Sequence, residues 1–146
     1  MDFPRDNLTR QVTFRAEPSS DGRTLEGYAA VFNTPTRIDS YEGFFDEQIA
    51  PGAFTKTISE RTPVLQFDHG HHPLVGSIPI GAIDALREDS HGLHVRARLH
   101  DNWLVEPVRD AIREGSISGM SFRFSVVIET VDENDVVPMR TVNEVK

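Results

Sequence analysis

Between Thr9 and Ala16 the chain alternates with a period of two, Val12 and Phe14 interleaved with Thr13 and Arg15, and that spacing predicts a strand. Thr24 to Asn33 (TLEGYAAVFN) predicts a second strand, closed by the turn-forming Asn33-Thr34-Pro35. The stretch from Pro35 to Gln48 mixes Gly43 with Tyr41, Phe44 and Phe45 and reads as a packed loop. Pro51-Gly52-Ala53-Phe54 opens a short helix to about Glu60, because proline lacks an N–H that a first turn would leave unused anyway. Thr62 to Phe67 is apolar enough for a strand and runs into the loop Asp68 to His72. Ile78 to Arg87 and Gly92 to His100 form a predicted hairpin; in its second arm Leu93, Val95, Ala97 and Leu99 face one way and His94, Arg96, Arg98 and His100 the other. From Trp103 to Glu114 the period becomes helical, with Leu104, Val108, Ala111 and Ile112 on one face and Gly115 as the C-terminal cap. Ser121 to Thr130 is a predicted strand, Asp132 to Asp135 an acidic turn, and Val136 to Lys146 a last strand.

Six to seven strands and two helices without βαβ alternation predict a mainly β, α+β molecule: an antiparallel barrel or strongly bent sheet with the helices outside. The 146 residues suit one domain, expected over 9–146, after a flexible N-terminal arm over 1–8 that is polar and carries Pro4. With 38% hydrophobic and 26% charged residues the composition is that of a globular protein. The net charge of −8 argues against a nucleic-acid-binding surface as the main function. No stretch approaches the roughly 20 apolar residues that cross a membrane, and MDFPRDNLTRQ lacks the apolar segment of a secretory signal, so neither is expected. Cysteine is absent, which removes disulfides, thiolate metal sites and a cysteine nucleophile.

Two segments are candidates for chemistry. Phe67-Asp68-His69-Gly70-His71-His72 places three histidines after an apolar strand, and Gly115-Ser116-Ile117-Ser118-Gly119-Met120-Ser121 leads into another strand through small residues. A serine hydroxyl attacks a carbonyl only when a base takes its proton, and histidine titrates in the range that allows this near neutrality. A third group must then hold the imidazole in the right tautomer. The residues leave other readings open. A serine after glycine at a strand start is commonly a turn residue, and the histidines suit a solvated loop. With Asp68, the cluster His69, His71 and His72 also offers borderline ligands for a metal-dependent hydrolase, though without the helical i, i+4 spacing of H-E-x-x-H sites.

The chain resembles the prohead maturation proteases of tailed phages, which are distantly similar in fold to the herpesvirus assemblin proteases. The resemblance runs from about Val12 to Lys146 and rests on five marks in order. They are Gly27-Tyr28-Ala29-Ala30-Val31-Phe32-Asn33; Ile49-Ala50-Pro51-Gly52-Ala53-Phe54; Val64-Leu65 ahead of His69 with Val75-Gly76 after it; Gly92-Leu93; and Gly115 through Ser121 to Phe122-Arg123-Phe124. It implies an assemblin-like β-barrel and a serine endopeptidase with Ser121, rather than Ser116 or Ser118, as nucleophile and His69 as general base. Arg123 departs from the family pattern, which usually has a small residue there. By analogy with assemblin relatives the third member is Glu144, in Asn143-Glu144-Val145-Lys146. Phage relatives continue with a further strand and a proline-rich tail, so a C-terminally truncated domain is expected, and an acid beyond Lys146 is the alternative to Glu144. The resemblance implies no cofactor and no resident metal. It implies phage scaffold and major capsid protein as substrates, self-cleavage, action inside the immature capsid in the host cytoplasm, and room for a homo-oligomer. The rival from another class is a non-catalytic barrel that binds capsid or scaffold.

Overall fold

The computed structural model describes residues 3–13, 23–40, 43–67, 70–117, 119–134 and 136–146. Among these, the strands are β1 Leu8–Thr13, β2 Thr24–Val31, β3 Thr36–Ser40, β4 Gly43–Ile49, β5 Gly81–Glu88, β6 Gly92–Leu99, β7 Gly119–Phe124, β8 Val126–Asp132 and β9 Met139–Val145; the helices are α1 Thr55–Glu60 and α2 Glu106–Arg113. The molecule is mainly β with two helices, as the patterning predicts. Neither helix is long and apolar enough to cross a membrane.

The strands pair in three sheets: β1 with β7; β2, β6 and β5 in that order; and β3, β4, β9 and β8 in that order. The expected closed antiparallel barrel is therefore not what the hydrogen bonding shows among the described residues. One pair, β4 with β9, is parallel, Asp46 opposite Met139. Parallel partners need a long crossover, and some ninety residues separate these two. Backbone bonds outside the strand ladders tie the ends of the sheets together. Val126 N–H donates to Arg5 O at 2.7 Å and Asn33 N–H donates to Ile49 O at 2.9 Å, while Ser125 and Lys146 exchange N–H and C=O at 2.9 and 3.0 Å and so extend the β8–β9 pairing. β2 also lies against β1 and β7.

Three local expectations change. The stretch read as one strand from Ser121 to Thr130 is two, because at Ser125 the chain leaves β1 and takes up β9. Pro35 to Gln48, read as a loop, is largely the hairpin β3–β4, with Phe45 fully buried beneath it. Thr62 to Phe67, read as a strand, makes among the described residues one isolated bridge, Leu65 to Gly81.

Two apolar clusters fill the interior. The first draws on all three sheets: Leu8, Ala30, Leu93, Val95, Phe124, Val142 and Val145, with Phe54 from the turn before α1. The second lies under α2 and gathers Leu25, Val75, Ile80, Leu99, Val105 and Val108. The alternation foreseen in β6 supplies both, since Leu93, Val95, Ala97 and Leu99 are all at most 5% exposed. From Phe3 onward the N-terminal segment also lies on this body: Phe3 is buried edge-on against Phe45, ring centroids 4.6 Å apart.

Candidate active site

Ser121 is the third residue of β7 and stands opposite Gln11 of β1. Its neighbours fix which way it faces. The rings of Phe122 and Phe124 stack at 4.8 Å, and Phe122 packs edge-on to Phe54 at 5.6 Å, so these two alternate positions point into the first cluster. Side chains alternate along a strand, which puts Ser121 and Arg123 on the opposite face. Ser121 is half-buried and Arg123, opposite Thr9, is exposed.

The approach to β7 is set by the end of α2. Gly115 has φ +79°, the left-handed conformation that glycine adopts without strain, and its N–H donates to Ile112 O. Ser116 N–H returns to Ala111 O at 2.8 Å, which commits Ser116 to the helix cap. Ile117 then packs into the second cluster. Ser118 lies outside the described residues.

His69, with Asp68, also lies outside the described residues, but both flanks are placed. Gly70 N–H donates to Phe67 O at 3.0 Å, and Gly70 has φ +80°. Leu65 and Phe67 pack on the second cluster, the one that holds Ile117. The histidine-bearing and serine-bearing segments are therefore anchored on one apolar body, although some fifty residues separate them in the chain. His72 closes its own turn. The Nδ1 atom accepts the N–H groups of Leu74 and Val75 at 3.2 and 3.3 Å, and the ring lies 5.4 Å from that of Phe67. That leaves only Nε2 of His72 to serve a metal, whereas His71 is exposed.

Glu144 is in β9, opposite Ile128 of β8, and its Oε1 lies 3.7 Å from Lys56 Nζ of α1. The Ser125–Lys146 pair marks the register. Glu144 lies on the β8 side of that pair and Ser121 on the β7 side, so the two occupy different sheets.

Two features were not legible in the sequence. Glu88, the last residue of β5, binds the turn before α1 through both carboxylate oxygens. Asp89, beside it, accepts the Tyr28 hydroxyl at 2.5 Å and the N–H groups of His91 and Gly92. The Tyr28 hydrogen bond, seconded by those two backbone donors against the cost of burial, holds the Asp89 carboxyl down at about 2, and the same hydrogen bond raises Tyr28 above the usual phenol value. An acid in a hairpin turn is common in sequence; only the structure shows which donors converge on it.

Comparison with known proteins gives one family: the model of the caudovirus prohead serine proteases matches residues 10–146. Among curated proteins, the prohead protease of Enterobacteria phage HK97 is 32% identical over 123 residues, covering 82% of this chain and 49% of that protein. The chain thus spans about half the length of the curated relative it matches. No solved structure matches significantly.

Proposed function

Because this chain belongs to the caudovirus prohead serine protease family, we propose that it is the serine endopeptidase domain, over 9–146, that processes scaffold and capsid protein during prohead maturation and cuts itself. Its place of action would be the immature shell in the host cytoplasm. Ser121 attacks the scissile carbonyl, His69 takes the hydroxyl proton and returns it to the leaving amine, and a carboxylate orients the imidazole. Within the chain we assign that carboxylate to Glu144. The observation that carries the reading is the shared anchorage of Phe67 and Ile117 on the second apolar cluster, which gives the two segments a common support. A barrel-like closure of the three sheets belongs to the same proposal; the backbone bonds that join them end to end support it.

A fluorophosphonate probe, which labels only an activated serine, tests the assignment. The parent protein should label at one site, Ser121→Ala should not label while unfolding at the parent's temperature, and Glu144→Gln should label more slowly. Labelling that moves to Ser116 or Ser118 would displace Ser121. An unchanged rate in Glu144→Gln would pass the carboxylate role to an acid past Lys146.

A further inference from the structure

The turn that leads into α1 touches three strands, and one carboxylate holds it. Glu88 Oε1 accepts Phe54 N–H at 2.9 Å, and Oε2 accepts Gly52 N–H and the Thr55 hydroxyl, each at 3.0 Å. Charged acceptors make the stronger hydrogen bonds, and a short helix needs partners for its first N–H groups. Phe54, in the N-cap position, has no side chain to supply one, and the first turn of α1 carries no acid. Glu88 reaches over from β5 and accepts the N-cap N–H of Phe54, while the Thr55 N–H goes to Gly52 O. On the far side of the turn, Phe54 is 3% exposed and its ring meets Phe122, the residue after Ser121. Ala53 O takes the N–H of Val145 at 3.1 Å. α1 itself buries no residue, so what the turn contributes to the interior is chiefly Ala53 and Phe54.

We propose that Glu88 is a positioning residue for Ser121. It contacts neither the serine nor substrate; it fixes the Gly52–Thr55 turn, the turn fixes Phe54, and Phe54 supports the strand register from which Ser121 projects. The proposal rests on Ser121 being the nucleophile. A reaction that needs atoms about 3 Å apart is sensitive to small shifts, and a displacement of about 1 Å is enough to cost on the order of a hundredfold in rate.

The test is saturation kinetics of fluorophosphonate labelling in the full chain, comparing the parent with Glu88→Gln and Glu88→Ala, beside amide hydrogen exchange over 119–124. Gln keeps one accepting oxygen, Ala none. The maximal labelling rate should fall in the order parent, Gln, Ala, by roughly tenfold to a hundredfold at Ala. The half-saturating probe concentration should stay constant, and amides of 119–124 should exchange faster in the same order. A purely structural role gives another pattern: fewer molecules label, at the parent's rate constant, and that pattern overturns the proposal. So does an unchanged rate with unchanged exchange. If Glu88→Ala does not fold, Glu88→Gln decides alone. A parent that never labels refutes the serine reading itself, and the positioning role falls with it.

Discussion

At the scale of single residues, the costliest commitment in the fold is Arg140. Its side chain is fully buried, donates to Pro4 O at 2.6 Å, approaches Glu47 at 3.3 Å and Glu129 at 3.4 Å, and lies over the rings of Phe3 and Phe45. Burial pulls its guanidinium below the usual arginine value, and the two carboxylates oppose that. Removing one side of a buried pair leaves the other charged and unsolvated, so Arg140→Ala should cost about 3–5 kcal/mol in urea unfolding. Arg140→Lys should recover only part, since an ammonium cannot reproduce the planar fork. Asp89 makes a pH prediction. Its carboxyl is lowered in the folded state to about 2 from 3.8, so its stabilisation is present in full above pH 4. It is lost as pH falls through about 2, where the folded protein must also take the proton. Asp89→Asn should therefore be less stable than the parent at neutral pH, and the difference should close between pH 4 and 2. A constant offset across that window would show that Asp89 acts by shape alone.

At the scale of elements, the β5–β6 hairpin illustrates how pattern and close approach divide the work. Its apolar alternation places the strands, but the fit of β6 to β2 and of β5 to β6 depends on missing atoms. A Cβ on Gly92 would stand 2.0 Å from Ala30 O, and one on Gly81 2.5 Å from Arg98 O. Backbone cannot retreat as a side-chain tip can, so the sheet must open. Gly92→Ala should then cost at least about 1–3 kcal/mol, the range for overpacked interiors, measured by thermal unfolding. The neighbouring exposed position Ser90 is a control, and Ser90→Ala should change stability by less than about 0.5 kcal/mol. The split of the Ser121–Thr130 stretch shows the reverse limit of pattern. Apolar content continues through Ser125, yet the chain changes partners there, and partner choice leaves no mark in the period of one strand.

At the scale of the molecule, the three histidines after Phe67 should separate by what each is joined to. His72 closes a backbone turn next to Val75 of the second cluster, so His72→Ala should lower thermal stability and labelling together. His71 is exposed, and His71→Ala should change neither by much. His69→Ala should leave the unfolding temperature near the parent's and slow labelling by a factor of about a thousand or more. Equal losses at all three positions, restored by zinc, would favour a metal-dependent hydrolase.

The sequence by itself determined the mainly β class, the hairpin at Asp89 and both helices, and it supplied the two segments proposed to carry the chemistry. Each of these depends on local periodicity or on residue types, and both are written along the chain. The parallel partnership of β4 with β9, the change of partner at Ser125 and the division into three sheets were decided by tertiary structure. Pairing across some ninety residues is chosen by which apolar faces fit together, and no short window contains both faces. The same reason separates the site from its support. Ser121 stood out through its glycine-flanked approach, whereas Glu88 and Arg140 resembled any surface charge. Only the packed molecule shows that one holds the turn behind the serine's strand and the other joins the N-terminal segment to the sheet.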